Sequence, residues 1–352
     1  MLQGMPSRKI PVFLILLIVS FAVFTLPHVF SNTASAPYAD GDFIGDHFIA
    51  PDTSVPQAGF PNELTPELPV EPGADPAAEP ELTVTHDDLS TEPDAPADND
   101  FITVKMDIAD ISHGSLLLIN NDHRFDIPDE PGFIAINESK ASSYRVTSDR
   151  MMISPLAIEP LNDMMDAFHD ETGISSVTVI SAFRDYEKQQ ETLNDYIKLV
   201  GRAEAPKWAS LPGHSEHQAG LAVDFGLYSG GALRTFTGTG VYAWFKENSY
   251  KYGYILRFPD DKSEITETAH EAWHFRYVGE PHAYLMHENN WCLEEYVELL
   301  REYTPSETYS VTYDDRDYEI FYTSDTEIPI PFDCEFDISG NNVDGFIVTL
   351  AF

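Results

Sequence analysis

Residues 31–100 contain neither Lys nor Arg, and the run PNELTPELPVEPGADPAAEPELTVTHDDLSTEPDAPADND (61–100) is dense in Pro, Glu and Asp. No apolar period is sustained there, so the segment cannot bury enough apolar surface to offset the entropy of ordering it. Proline stiffness and like-charge repulsion keep such a chain extended, and 31–100 is read as a disordered acidic stalk. Any packed core must therefore come from residues 101–352, with order beginning near Phe101. That length suits one sizeable domain with an appendage, and no internal repeat divides it.

Ahead of the stalk, Arg8-Lys9 precede the apolar run IPVFLILLIVSFAVFTLPHVF (10–30). The run is long enough to cross a bilayer core of about 30 Å. Its positive flank predicts the N-terminus inside and everything after it outside. A cleaved signal peptide is the alternative, with Ala34-Ser35-Ala36 as the cut site, but Pro37 would then follow the cut, where proline is poorly accepted. Residues 1–30 are thus expected to be a membrane anchor or signal segment, with the uncleaved anchor favoured. Both readings place the folded part outside the cytoplasm.

The acidic balance, 20 Lys+Arg against 59 Asp+Glu, is not confined to the stalk: residues 101–352 still carry 18 basic and 43 acidic side chains. Such a surface repels polyanions and excludes nucleic acid as a partner. Only Cys292 and Cys334 are present, so neither a cysteine zinc cluster nor a disulfide framework can form. A single bridge stays open to an exported chain.

Within 101–352 the elements follow from periodicity and punctuation. GSLLLINNDHRFD (114–126) reads as a buried strand leading into a turn at Asn120-Asn121. In SPLAIEPLNDMMDAFHDETG (154–173) Leu161, Met164, Met165 and Phe168 share one helical face and Gly173 supplies a stop. SSVTVISAF (175–183) is a β-branched strand, and RDYEKQQETLNDYIKLVG (184–201) is helical up to Gly201. GLAVDFGL and WHFRYVG read as short strands, the second alternating Trp273, Phe275, Tyr277 against His274, Arg276, Val278. EPHAYLMHENNWCLEEYVELLREY (280–303) is expected to close the domain as one helix. Helices and strands mix without regular βαβ alternation, which predicts an α+β fold. Residues 307–352 change to hairpin-like runs separated by Ser324-Asp325 and Gly340-Asn341-Asn342. They are marginal for an independent core and are expected to pack as a β appendage on a domain spanning 101–306.

Two stretches carry chemistry. His270-Glu271-Ala272-Trp273-His274 matches the H-E-x-x-H pattern of helical zinc proteases, and Glu294 lies where such a protein could keep a third ligand. That reading needs His270 and His274 on one sustained amphipathic helix. DDKSEITETA ahead of the motif has no apolar helical stripe, and WHFRYVG after it alternates with period two. The local context is strand, so the match is a coincidence and His270 and Glu294 are bystanders. The other stretch, PGHSEHQAGLAVDFG (212–226), sets His217 and Asp224 seven apart with Gly220 where the backbone must turn tightly. A turn followed by a strand can bring this imidazole and carboxylate onto one ion, and His274 would complete three ligands with a fourth position open, the pattern of a catalytic zinc site.

SEHQAGLAVDFG followed by EAWHFRYVG closely resembles the zinc D-alanyl-D-alanine carboxypeptidases of the VanY type, whose signature is S-x-H-x-x-G-x-A-x-D followed by E-x-W-H. SAFRDYEKQ (181–189) is similar to the same family's S-x-Y-R-S-x-x-x-Q segment, with Phe183 for Tyr and Asp185 for Ser, and YGYILRFP (252–259) resembles a further family segment. The matches span roughly residues 112–300 and leave out the stalk and the appendage. The resemblance implies the hedgehog/DD-peptidase fold, with a small, mainly antiparallel sheet and flanking helices. It implies one zinc ion per chain held by His217, Asp224 and His274, with Glu271 as general base. Arg184 would stabilise the oxyanion or bind the substrate's terminal carboxylate, and Gln189 and Ser215 would contact the peptide.

Outside the resemblance each residue has a plainer reading: Arg184 as a strand-to-helix cap, Gln189 as a solvated helix residue, Ser215 as an N-cap, Trp273 as packing, His214 as a bystander. The expected activity is removal of the C-terminal D-alanine from peptidoglycan stem peptides outside the cell. The alternatives are an L,D-carboxypeptidase, a D-Ala-D-Ala dipeptidase, or a zinc-binding interaction module without catalysis, against which Glu271 argues because a binding site needs no base. No sequence feature sets an oligomeric state.

Overall fold

The computed structural model describes residues 101–352. The stalk and the 10–30 apolar run lie outside the described residues. Among the described residues no helix is long and apolar enough to cross a membrane.

The fold is α+β and is organised around a six-stranded sheet. Its strand order is Arg145–Val146, Val177–Ser181, Ala222–Ser229, His274–Tyr277, Tyr254–Leu256, with Ala232–Thr235 pairing back on Ala222–Ser229. Every pairing is antiparallel except that of the first two strands. The helix Pro155–Thr172 covers one face. Ser154 caps it by accepting from the Leu156 amide, Pro155 starts it, and Gly173 ends it at φ 70°. Its Leu161, Met164, Met165 and Phe168 pack against Val177, Val179, Val223, Phe225 and Phe275 from the sheet. Burying each such side chain contributes on the order of 1.5–3 kcal/mol. The opposite face, toward which Asp224, His274 and Arg276 point, is also buried but polar.

Two expectations are corrected, and two strands are added. The 114–126 segment is buried, with Leu116, Leu117, Leu118 and Ile119 at most 6% exposed, yet it joins no sheet. Its backbone is satisfied otherwise: the Leu116 amide donates to the Ser339 hydroxyl, and the Arg276 guanidinium donates to the Ser115 and Leu117 carbonyls. A periodicity argument sees burial but not which partner takes the backbone bonds. The closing helix is two helices, His282–Asn289 and Leu293–Leu300, because Asn290 takes a left-handed conformation at φ 54° and Cys292 starts the second. Strands Ala232–Thr235 and Tyr254–Leu256 have no counterpart in the sequence reading.

Residues 309–351 form a second, four-stranded antiparallel sheet in the order Tyr309–Tyr313, Arg316–Thr323, Phe346–Ala351, Glu335–Gly340. The remaining strand, Glu327–Pro331, pairs with Phe101–Lys105, so the first described residues join the C-terminal part. Ile320 and Ile347 share a core cluster with Leu116, Val297 and Leu300. Cys292 and Cys334 are free thiols; no bridge joins them.

Candidate metal centre

The chain enters the site through a 3-10 turn, Glu216–Ala219, and leaves it at Gly220, whose φ of 65° is in the left-handed region. A side chain there would be strained, and its Cβ would sit 2.9 Å from the Ser154 amide nitrogen, so the tight reversal needs glycine. The reversal feeds the strand Ala222–Ser229. There Val223 and Phe225 face the apolar core while Asp224 faces the other way. His274 pairs directly with Asp224 across the neighbouring antiparallel strand, so the two side chains share a face. His217 reaches the same point from the turn.

The three residues bring one ligand atom each within 4.8 Å of one another, all buried. His274 Nδ1 lies 2.9 Å from Asp224 Oδ1. His217 Nδ1 donates to the Ala182 carbonyl at 2.6 Å, which leaves Nε2 as the ring's lone pair. That Nε2 is 3.2 Å from Asp224 Oδ2 but not aligned for a hydrogen bond, and it is a buried polar atom without a hydrogen-bond partner. Two imidazoles and a carboxylate, one nitrogen orphaned and aimed at the common point, fit a tetrahedral Zn²⁺ with a fourth position open.

Electrostatics separate the groups. Burial lowers His217 to about 4, with Arg184 adding to the effect. In His274 burial works in the same direction, but the hydrogen bonds to Asp224 and Glu216 outweigh it and raise the ring to about 9. In Asp224 burial is outweighed by the two imidazoles, which hold the carboxyl well below its usual range. Glu271 behaves oppositely: burial pushes it up to about 8, against the pull of His274. Its Oε2 is 3.8 Å from His274 Nδ1, beside the ligand set rather than in it.

Arg184, Gln189, Ser215, His217, Glu271 and His274 line one cavity, and Asp224 lies behind the two histidines. Arg184 occupies the junction between the Val177–Ser181 strand and the Tyr186–Val200 helix, which Asp185 caps through the Lys188 amide. Gln189 is buried rather than solvated: its Nε2 donates to the Ser210 carbonyl at 2.7 Å, and its Oε1 has no hydrogen-bond partner. Ser215 stands at the N-cap position but makes no side-chain cap bond.

His270 is exposed, with Nδ1 2.8 Å from the Phe258 carbonyl, and residues 270–273 are not helical. Glu294 binds Arg257 through both oxygens, at 2.6 and 2.9 Å. Neither belongs to the ligand group. His214 is also outside it and contacts the Asn120 carbonyl. Trp273 packs against the apolar core.

Sequence reasoning missed the charged layer behind the metal point. Glu216 accepts from Arg257 and Arg276, each at 2.7 Å, and lies 3.3 Å from His274 Nε2. Both arginines are fully buried. The signal was present in YILRFP and HFRYVG: an arginine inside an apolar strand demands a buried carboxylate.

The sequence pattern of the VanY D-alanyl-D-alanine carboxypeptidase family matches residues 150–280. A D-alanyl-D-alanine carboxypeptidase of Enterococcus faecium is 33% identical over 247 residues, 68% of this chain and 76% of that protein. A second, from Enterococcus faecalis (strain ATCC 700802 / V583), is 35% identical over 62% of this chain and 78% of its own length. Among solved structures, the vancomycin-resistance D,D-dipeptidase VanXYg, in complex with a D-Ala-D-Ala phosphinate analogue, matches with a TM-score of 0.64 and 30% identity. That match covers 72% of this chain and 99% of VanXYg. With two imidazoles and a carboxylate converging beside Glu271, and with relatives of this likeness over two thirds of its length, the chain belongs to the VanY family of D-alanyl-D-alanine carboxypeptidases.

Proposed function

We propose that this enzyme removes the C-terminal D-alanine from peptidoglycan stem peptides outside the cell, with one zinc ion held by His217, Asp224 and His274 and with residues 10–30 as a membrane tether. The observation that carries the reading is the partnerless His217 Nε2 converging with Asp224 and His274 beside a buried carboxyl, Glu271. Zinc held there supplies Lewis acidity. Glu271 takes a proton from the attacking water and delivers it to the leaving amine, general acid–base work of the usual kind. A zinc-binding module without catalysis has no use for a carboxyl buried at this position.

Arg184 supplies the cationic wall of the cavity, for the substrate's terminal carboxylate or for the oxyanion that develops during attack. The Gln189 Oε1 and the Ser215 hydroxyl, left without a hydrogen-bond partner and without a cap bond respectively, are available to the peptide backbone. Export is supported by the apolar run and its positive flank, and the acidic, Lys/Arg-free stalk would hold the catalytic domain away from the bilayer.

The test is digestion of defined muropeptides by the purified full-length protein, with the products weighed. One alanine lost from pentapeptide stems is the expected result. Cleavage of free D-Ala-D-Ala alone would make the protein a dipeptidase, the activity named for VanXYg. Cleavage of tetrapeptide stems alone would make it an L,D-carboxypeptidase.

A further inference from the structure

His274 faces two different carboxylate environments. On its Nδ1 side are Asp224 and Glu271. On the other side is Glu216, 3% exposed, whose Oε2 lies 3.3 Å from His274 Nε2. The Glu216 Oε1 accepts from Arg257 Nε and Arg276 Nη1, both at 2.7 Å. Neither arginine can swing away. The other nitrogens of Arg257 hold Glu294 at 2.9 and 2.6 Å. The rest of Arg276 donates to the Ser115, Leu117 and Tyr277 carbonyls at 2.8, 2.9 and 2.9 Å. Glu216 is therefore fixed by groups drawn from four separate parts of the chain.

An imidazole that donates from one nitrogen presents the lone pair of the other. His217 donates from Nδ1 to the Ala182 carbonyl and presents Nε2. His274 is turned the other way: Nε2 meets Glu216, while Nδ1 faces Asp224 at 2.9 Å and Glu271 at 3.8 Å. We propose that Glu216, clamped by Arg257 and Arg276, is a positioning residue that makes His274 an Nδ1 ligand and strengthens its hold on the metal. A carboxylate behind a ligating histidine orients the ring and raises its basicity, and losing such a partner typically costs about 10–100-fold in metal affinity. The inference rests on the zinc reading above.

The experiment measures zinc affinity by chelator competition on full-length wild type, Glu216→Gln and Glu294→Gln. Glu216→Gln keeps the shape and an acceptor but removes the charge, and is expected to bind zinc about 10–100-fold more weakly. Glu294→Gln disturbs the same arginine without touching His274, and is expected to match wild type in affinity whatever it does to stability. Nitrogen-15 NMR of the zinc-loaded wild type should show one imidazole bound through Nε2 and one through Nδ1, a readout that needs no variant to fold. A wild type that takes up no zinc overturns the metal reading itself. Zinc-binding wild type together with an equally tight Glu216→Gln, an equal loss in both variants, or two Nε2-bound rings overturns the role of Glu216 alone.

Discussion

The two sides of His274 are both buried and both rich in charge, but they are completed differently. On the far side, Arg257, Arg276 and Glu294, with Glu216 between them and the cavity, satisfy one another and the backbone around them. On the cavity side, His217 Nε2 and Gln189 Oε1 are buried without hydrogen-bond partners. Leaving a buried polar atom unpaired costs roughly 1–3 kcal/mol. A fold that closes every bond on one side of a residue and leaves atoms open on the other marks the second side as the place where something else binds.

If that division is right, damage on the cavity side removes function and damage on the far side removes stability. The largest effect is expected from Asp224→Ala, which takes away the carboxylate that both histidines face. Metal content by mass spectrometry should fall to background and activity with it. Zinc retained in that variant would break the assignment of the ligand set.

Glu271→Gln comes next. It is beside the ligands, so zinc content should stay at wild-type level while kcat falls about 10²–10⁴-fold. A parallel loss of zinc would place Glu271 among the ligands. On the far side, Arg257→Met leaves Glu294 without its bidentate partner and Glu216 with one arginine in place of two. Breaking a buried pair by removing one member costs about 3–5 kcal/mol, which denaturant unfolding of the metal-free protein would register. An unfolding midpoint equal to wild type would mean that the cluster does not hold the fold together. The smallest effect is expected from His270→Ala: its ring is exposed and outside the ligand group, so the variant should keep about one zinc per chain and lose no more than roughly 10-fold in activity. Metal-free His270→Ala beside zinc-loaded Asp224→Ala would return the site to the helical pattern.

Much of this was legible locally. The Pro155–Thr172 helix carries its cap, its apolar face and its terminating glycine within its own residues, and it forms as its pattern demands. The HExxH coincidence could be set aside from its flanking residues, because period-two alternation after His274 is incompatible with a helix. At 114–126, where the reading went wrong, the deciding partner was remote. The buried 114–126 run has the composition of a strand, but its carbonyls go to a guanidinium 159 and 161 residues away and an amide goes to a serine 223 residues away. The closing helix failed at one residue, Asn290, whose side chain tolerates the left-handed turn that separates the two halves.

His217, Asp224 and His274 could be picked out as candidate ligands because the turn at Gly220 and the seven-residue step to Asp224 are local, whereas the roles of Glu271, Arg184, Gln189 and Ser215 were implied only by the resemblance to the VanY family. What only the tertiary structure decided is which nitrogen of each histidine faces Asp224 and what stands behind it. Glu216 is adjacent to His217 in sequence yet serves His274, 58 residues on, through arginines 41 and 60 residues on. No periodicity encodes such distances. They are set when the central antiparallel strands pair and two arginines, too costly to bury alone, close on the one carboxylate within reach.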